Sequence, residues 1–333
     1  MSISLIAETA WHHQGDYEFM SDLVTELCER SFADVIKFHV TLDLDEYIDR
    51  DHQLYATLKS WTLTEQQWAD LVDVVRRHQR QLMLLVNDSV AIEFSSQVQP
   101  EFVELHSACV NNLFLLEALS EKSEKFNDFV LGVGGTQLEE IDYAASFLPR
   151  EKTVLMFGFQ NHPTSYESVN LKKIRRVMRA FAGSRFGYAD HTSWDHDNNE
   201  LVTLIVAANE MDYVEKHVTI DPGGNRVDST AAISIEMFNS LAQTLKVLEA
   251  LEGNGLLELN DAERNYSTYG PMKMAAIATS DLQAGTVFDR EHILFRRTSR
   301  ESNMSQYEVV KRFGQTLSRD VEKGSVIISE LFA

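Results

Sequence analysis

Two histidines and a glutamate lie at the ends of strand-like segments, and together they form a donor set for a divalent cation. Glu8 closes the run ISLIAE, His191 follows RFGYAD, and His217 lies late in MDYVEKHVTI. Two imidazoles and a carboxylate could hold a metal ion and leave positions open for water or a substrate oxygen. A lone histidine near a strand end is more often a hydrogen-bonded structural residue, so the metal hypothesis requires a fold that brings the three together.

Three further polar residues are candidates to contact a substrate: Asn87 and Asp190 close strand-like segments, and Lys37 lies near the end of another. Lys37 could be a buried partner of Glu8 or a cation for an anionic substrate, and the acidity of the whole chain favours the second. The segment GVGGT (132–136) leads into a predicted helix, so its amides could hold a phosphate or carboxylate. Three glycines near a helix start more often form only a turn.

The segment YVEKHVTI carries three ionisable residues in a row, Glu215, Lys216 and His217. Side chains alternate faces along a strand, so Glu215 and His217 share one face and Lys216 takes the other. If His217 points to a metal, Glu215 lies one layer deeper and needs a partner, for which Lys37 is the candidate. Lys216 is then expected to point toward surrounding helices, which makes it a weaker candidate for binding substrate.

The elements that position these residues follow an alternating pattern of short strand-like and longer helix-like segments, which is typical of parallel βαβ units. Eight such strands predict a closed (β/α)₈ TIM barrel, in which the last strand lies beside the first and active sites form at the carboxyl ends of the strands. Glu8, His191 and His217 would then come from successive positions around one rim. The predicted strands are 3–8, 34–40, 81–87, 102–107, 128–133, 152–159, 185–190 and 211–220.

Boundary signals divide the chain into three segments. The polar stretch EGNGLLELNDAERNYSTYGP predicts a linker at 253–269, which separates the barrel domain (1–252) from a small β-rich domain (270–333). Within the barrel domain, the spacing Thr-x-x-Gln at Thr64 and Thr-x-x-Glu at Thr136 predicts two helix starts with capping boxes.

Composition excludes several function classes. The 333 residues include 30 Lys and Arg against 51 Asp and Glu, a formal net charge of -21, which argues against binding nucleic acid or an acidic membrane. Two cysteines provide no disulfide framework and indicate a reducing compartment. The N-terminal run lacks a basic flank and fits a buried strand better than a signal peptide, and no segment is long and apolar enough to span a membrane. A cytoplasmic protein is therefore expected.

Six segments, taken in order, resemble the sialic acid synthase family, which comprises phosphoenolpyruvate-dependent synthases of N-acetylneuraminate and related nonulosonic acids, including spore-coat polysaccharide members. IAETAWHHQGD is similar to the family's IAEIGxNHxGD, VIKFHV to VKFQ, YADHTS to GYSDHT, and VEKHVTID to IEKHFT(L)D. The final segments DLQAGTVFDREHILFRR and FGQTLSRDVEKGSVI resemble the family's antifreeze-like (SAF) C-terminal domain.

The resemblance implies a metal-dependent enzyme that condenses phosphoenolpyruvate with the open-chain aldehyde of an N-acylated amino sugar. His191 and His217 match the two histidines that hold a divalent metal, for which manganese is expected and magnesium or cobalt are alternatives. Glu8 matches a glutamate near the metal, and Lys37 a lysine beside the phosphoenolpyruvate site. Arg297 falls where the family has an arginine that reaches the sugar from the partner subunit, which implies a domain-exchanged homodimer.

The chain departs from the family's pattern around the phosphoenolpyruvate site. ELHSACVNN replaces KIGSGE(C/A)xN, which retains Ser107 but puts Glu104 at the phosphate-binding lysine and Cys109 at a glutamate thought to help activate water. Gly132 replaces a serine that contacts phosphate. A buried carboxylate close to a phosphate repels it by a few kcal/mol, so a remodelled donor site is expected.

The sixth-strand segment also differs, because FGFQNHP replaces HCTxxYP. Gln160 and His162 stand where the family has an asparagine and a tyrosine. Ser107 and Gln160 are expected to contact substrate, together with Asn87 and Asp190.

Three functions remain open from the sequence. The first is a sialic-acid-synthase-type enzyme that makes a nonulosonic acid for a surface or spore-coat polysaccharide. The second is a metal-dependent aldolase, lyase or epimerase that acts on a sugar acid without phosphoenolpyruvate, and Glu104 and Cys109 favour it. The third is a non-catalytic carbohydrate-binding relative, against which the joint presence of Glu8, Lys37, His191 and His217 argues.

Overall fold

A computed structural model describes residues 3–158 and 161–332 and divides the chain into two compact units, Met1–Asn254 and Gly255–Ala333. In the first unit, each of eight parallel strands pairs with the next, and the eighth pairs with the first, which closes a barrel. The predicted (β/α)₈ TIM barrel and its eight strands are confirmed. The strands are β1 (Ser4–Glu8), β2 (Val35–Val40), β3 (Gln81–Val86), β4 (Phe102–Leu105), β5 (Asp128–Gly132), β6 (Thr153–Phe157), β7 (Arg185–Asp190) and β8 (Tyr213–Thr219).

Helices connect the strands and surround the barrel. Most begin with a side-chain cap, as at Thr64, which forms the predicted capping box with Gln67. The start predicted at Thr136 was one residue early, because Gln137 is the N-cap and its backbone N–H donates to Glu140 Oε2 at 2.7 Å. The helices of this unit are α1 (Tyr17–Arg30), α2 (Leu44–Tyr47), α3 (Tyr55–Trp61), α4 (Glu65–Arg77), α5 (Ser89–Val98), α6 (Leu113–Glu121), α7 (Leu138–Ala145), α8 (Tyr166–Val169), α9 (Leu171–Ala180), α10 (Asn199–Ala207) and α11 (Ile235–Glu252).

The large hydrophobic core lies between the outer faces of the strands and the helices, where buried residues such as Phe38, Trp68 and Phe238 pack. A second, smaller apolar cluster, which includes Ile6 and Met83, is formed by inward-facing strand residues. Outside the barrel, the short strand β9 (Ile233–Ser234) extends the sheet by pairing with β8. Among the described residues, no helix is long and apolar enough to cross a membrane.

The second unit has its own small core, which contains Phe288, Leu317 and Ile327. Strands β10 (Ala275–Ala278) and β11 (Ile293–Arg296) pair antiparallel, and helix α13 (Gln306–Val310) belongs to the same unit. The predicted linker at 253–269 is not irregular throughout, because it contains helix α12 (Asp261–Tyr266). Asn260 caps that helix and forms a capping box with Glu263, a local signal strong enough to start a helix in a polar segment.

Candidate functional site

The barrel interior is built in layers that follow from the two-residue period of its strands. Ile6, Val35, Phe102 and Tyr213 belong to the apolar cluster inside the barrel. Two residues further along the same four strands, on the same inward face, stand three glutamates and one lysine. We call this group the ionic layer, and its members are Glu8, Lys37, Glu104 and Glu215.

Lys37 connects the ionic layer. Its Nζ lies 2.7 Å from Glu104 Oε2, 2.9 Å from Glu215 Oε2 and 3.2 Å from Glu8 Oε2. All four side chains are almost completely buried. The predicted pairing of Lys37 with Glu215 is confirmed, and the contact with Glu8 that was the alternative role of Lys37 is also present. The role favoured from the sequence, a cation for an anionic substrate, stays a prediction.

Charges in the ionic layer are not independent. Burial opposes the ammonium form of Lys37, but the carboxylates of Glu104, Glu215 and Glu8 hold its pKa well above the usual value. Burial raises the pKa of Glu215 well above its usual value and also raises the pKa of Glu104. Burial disfavours the ionised form of Glu8 as well, yet Lys37 and a hydrogen bond with Glu215 hold its pKa well below the usual value. The surroundings therefore favour the ammonium form of Lys37 and the ionised form of Glu8, and Glu215 takes up a proton more readily than an ordinary glutamate.

Histidines occupy the next layer toward the barrel mouth. The Nε2 atoms of His191 and His217 face each other at 3.3 Å, and His217 Nε2 lies 3.4 Å from Glu8 Oε2. Two imidazole nitrogens bound to one metal at about 2.1 Å are separated by roughly 3.0–3.4 Å, so the observed spacing fits a shared cation. The structure brings together the three residues from which the metal hypothesis started.

A third imidazole completes this group. One ligand nitrogen from each of His162, His191 and His217 lies within 4.8 Å of the others. Burial lowers the pKa of His191 well below its usual value, with further lowering by His217 and His162, so its ring is neutral, as a metal ligand must be. The position of His162 beside this pair was not predicted from the sequence, because His162 lies outside the strands and helices, where no periodicity fixes its direction.

A cavity of about 390 Å³ opens above these layers. It is lined by the ionic layer, the three histidines, and two further histidines, His39 and His106. Trp11 also lines it, together with Tyr47 and Asp228, which were not identified from the sequence. Asp228 has a positive φ of 62°, an uncommon conformation for a residue other than glycine. Of the lining residues that the structure describes, Lys37 is the only lysine or arginine.

Comparison with known proteins identifies the family. Residues 32–256 match the NeuB family model, which is more than half of the chain. The chain belongs to the NeuB family. N,N'-diacetyllegionaminic acid synthase of Legionella pneumophila is 23% identical over 350 residues, which cover 99% of this chain and 94% of that protein.

Solved structures show the same fold. A putative spore coat polysaccharide biosynthesis protein E of Chromobacterium violaceum has a TM-score of 0.84 at 18% identity, with 100% of both chains covered. N-acetylneuraminic acid synthetase of Leptospira borgpetersenii has a TM-score of 0.71 at 19% identity over 80% of this chain and 90% of that chain. This NeuB-family chain therefore shares its barrel with proteins of low sequence identity.

Two of the residues expected to contact substrate in this NeuB-family barrel point elsewhere. Asp190 is completely buried, and its carboxylate accepts hydrogen bonds from Thr192, Thr203 and Lys216. Because side chains alternate along β7, Asp190 faces the helices once its neighbour His191 faces the cavity. Lys216 makes the corresponding outward contact, 2.9 Å from Asp190 Oδ2, as its predicted direction requires.

Asn87 also lies behind the cavity wall. Its Nδ2 atom is 2.7 Å from His39 Nε2 and donates to Thr41 Oγ1 at 2.8 Å. Asn87 therefore positions His39, which does line the cavity.

Three other residues were expected to contact substrate. Ser107 lines the cavity, whereas Gln160 lies outside the described residues. In the second unit, exposed Arg297 donates from Nε to the carbonyl oxygen of Pro271 at 2.9 Å.

The segment GVGGT contributes only its first residue to the lining of the main cavity that the structure describes. A Cβ atom on Gly132 would meet the backbone nitrogen of Ser107 at 2.8 Å, so the loop after β4 packs directly against the end of β5. A serine could not replace Gly132 without moving that loop. The glycine that this chain has in place of the family's serine therefore allows the backbone at Ser107 to approach the end of β5 this closely.

The outward network of Asp190 gives a first testable prediction. Thr203→Val removes a hydroxyl donor from a buried carboxylate without changing side-chain shape, so the free energy of unfolding should fall by about 1.5–3 kcal/mol. Thr57→Val, at an exposed position, is the matched control and should change it by less than about 0.5 kcal/mol. Urea unfolding of both variants measures the difference. Equal stabilities would contradict the structural role assigned to Asp190.

The buried histidines predict how stability depends on pH. Burial, with the charge of Lys37, lowers the pKa of His106 to about 4, and burial with Arg226 lowers that of His13 to about 4. Burial and His217 lower the pKa of His12 to about 3. Between pH 6.5 and 4, the unfolded chain binds protons at these positions and the native chain does not. Each histidine therefore lowers the free energy of unfolding by up to about 1.4 kcal/mol per pH unit as pH falls.

Glu104 and Glu215 have the opposite effect above pH 4.5: their pKa is raised in the native state, so they increase the free energy of unfolding as pH falls. The three histidines outnumber these two glutamates. We expect metal-free protein to be less stable at pH 5 than at pH 7 in urea unfolding. His106→Gln should reduce that difference, and His52→Gln, at an exposed position, should not. A stability that stays level or rises between pH 7 and pH 5 would refute the assignment of neutral buried histidines.

Proposed function

We propose that this chain catalyses metal-dependent carbon–carbon bond formation between an enol donor and the aldehyde of an N-acylated amino sugar, which gives a nonulosonic acid. The observation that carries the proposal is the 3.3 Å approach of His191 and His217 Nε2 at the mouth of a barrel whose ionic layer lies directly below. Family membership supports the reaction type, since a relative of almost the same length is named as an acid synthase.

A divalent metal, of which manganese is the first candidate, would polarise the aldehyde oxygen. Around it, Glu8 is placed to orient a reacting oxygen or hold its proton, because its carboxylate lies beside His217 and stays ionised through Lys37. Trp11 and Tyr47 give the cavity apolar and aromatic walls suited to a sugar ring, and Asp228 and Ser107 supply polar groups for its hydroxyls.

Phosphoenolpyruvate is the first candidate donor. Its C3 carbon would form the new bond to the aldehyde carbon, water would add at C2, and phosphate would leave from C2. Lys37 is the group available to hold the donor's anionic end. In this reaction one phosphate is released for each product molecule formed.

The ionic layer favours a second candidate donor without phosphate, such as pyruvate. Lys37 is already in contact with three glutamates, so little positive charge remains to attract a phosphate. An enolisable keto acid needs instead a group that accepts a proton from its methyl carbon, and the ionised Glu8 is a carboxylate of that kind. Here the aldehyde and the enolised donor combine without any release of phosphate.

One assay separates the two donors. Purified protein is incubated with manganese, a panel of N-acyl mannosamine-type sugars and either phosphoenolpyruvate or pyruvate, while product and free phosphate are measured. Product with equal phosphate supports phosphoenolpyruvate, and product from pyruvate alone supports the second donor. No product with either donor across the panel would overturn the proposal. His191→Ala, which should be inactive, and His196→Ala, at an exposed position, are the matched controls.

We also propose that the small C-terminal unit is an antifreeze-like domain and that the chain acts as a domain-exchanged homodimer, in which Arg297 would reach the sugar bound in the partner subunit. The exposure of Arg297 supports this, since its side chain is accessible for such a contact. Light scattering should give twice the 37.9 kDa chain mass. A monomer with full activity would refute the exchange.

A further inference from the structure

We propose that His162 is a third protein ligand, so that the metal of this chain is held by three imidazoles. The inference rests on the metal site proposed above and extends it to a residue that lies outside the strands. One ring nitrogen of His162 lies within 4.8 Å of ligand nitrogens on both His191 and His217. Its ring centroid is 4.5 Å from that of His191 and 5.6 Å from that of His217.

The backbone holds His162 in reach of the pair. Thr164 N donates to the carbonyl oxygen of His191 at 2.8 Å, which ties the loop after β6 to the end of β7. Thr164 Oγ1 donates to the carbonyl oxygen of Asn161 at 2.8 Å and tightens the turn that contains His162. The three histidines therefore come from three consecutive strand ends on one side of the mouth, and the remaining side stays open to substrate.

Glu8 competes for the same role, but its surroundings make it the weaker candidate. Its Oε2 atom lies 3.4 Å from His217 Nε2 and also 3.2 Å from Lys37 Nζ, so the oxygen that faces the site is already engaged by an ammonium. A carboxylate oxygen that must first leave an ammonium binds a metal cation less strongly than one that is not engaged in this way.

Three neutral nitrogen ligands change which metals the site prefers. Imidazole suits zinc, copper, nickel and iron, whereas carboxylate and water suit magnesium and manganese, and cobalt binds a given nitrogen site more tightly than manganese does. A site with three imidazoles should therefore bind Co²⁺ or Zn²⁺ well above Mg²⁺, and removal of one imidazole should weaken Co²⁺ binding more than Mn²⁺ binding.

The test is metal binding without substrate, so it does not depend on turnover. Co²⁺ affinity and the visible d–d absorption are measured for the wild type, His162→Asn and His162→Tyr, and Mn²⁺ affinity is measured by electron paramagnetic resonance. Loss of outer-shell partners costs roughly 10- to 100-fold in metal affinity, so loss of a direct ligand should weaken Co²⁺ binding by about 100-fold or more and change the absorption spectrum.

His106→Asn is the matched control, since His106 lines the same cavity outside the group of three, and it should leave the spectrum unchanged. Circular dichroism and the thermal midpoint of each metal-free variant show whether it folds. Folded His162→Asn and His162→Tyr with the wild-type Co²⁺ spectrum and affinity would overturn the inference. Cobalt bound through His162 with no product from any donor would overturn the proposed function instead and leave the third ligand in place.

Discussion

Replacement of His217 by alanine is expected to abolish divalent metal binding and to lower the rate of carbon–carbon bond formation by about 10³-fold. The ring nitrogen it removes lies 3.3 Å from His191 Nε2 and 3.4 Å from Glu8 Oε2, at the centre of the proposed site. A metal contributes several kcal/mol of stabilisation to developing charge, and each 1.4 kcal/mol corresponds to roughly a factor of ten in rate. Isothermal titration with Mn²⁺ and the product assay measure the two effects.

His196→Ala is the control for the loss of an imidazole, because His196 is exposed and bonds to the hydroxyl of Tyr166 outside the cavity. It should bind metal and turn over as the wild type does. Unchanged circular dichroism in His217→Ala would show that the barrel still folds. If His217→Ala retained wild-type metal affinity, the ligand assignment would be wrong.

Replacement of Lys37 by methionine is expected to lower the free energy of unfolding by about 3–5 kcal/mol at pH 7, because it leaves three buried glutamates without their cation. The native state of this variant must then protonate more of these carboxylates to relieve their repulsion. The loss should therefore be smaller at pH 5, where protonation is easier, than at pH 7. Urea unfolding at both pH values provides the measurement.

A second substitution tests whether the effect comes from charge. Lys37→Met combined with Glu104→Gln removes one of the stranded carboxylates, so the double variant should recover part of the lost stability. Lys37→Arg keeps the cation and should be the least damaging single change. A loss below about 1 kcal/mol for Lys37→Met, or equal losses at the two pH values, would show that the ionic layer does not depend on this lysine.

In β8, the alternation of side chains along the strand correctly predicts which face each charged residue occupies. Alternation along the strand predicts Glu215 and His217 on one face and Lys216 on the other, and the structure has Glu215 on Lys37 and Lys216 on Asp190. The same rule, applied to β7, would have excluded Asp190 from the cavity, since His191 follows it directly. Local alternation is therefore sufficient to place Asp190 and His191 on opposite faces of β7.

Local alternation does not predict which side chains on different strands contact each other. The sequence identifies Glu104 as an unfavourable charge for a phosphate, but it does not show that Lys37 is its partner. The contact of 2.7 Å between Lys37 Nζ and Glu104 forms because both side chains reach the centre of the barrel. Asn87 follows a strand as predicted, but its side-chain amide forms hydrogen bonds with His39 and Thr41. Such pairings depend on strand register and side-chain length across the barrel, neither of which a single strand specifies.

By itself, the sequence determined the eight-stranded barrel, the faces of its strands and the placement of Glu8, His191 and His217 at one rim, because strand period and closure are repeated, local constraints. Only the tertiary structure decided that Lys37 is shared among three carboxylates and that His162 joins the histidine pair. The first depends on contacts across the barrel interior. The second depends on residues 161–164, which lie outside the strands and are connected to the end of β7 by the backbone hydrogen bond from Thr164 to His191.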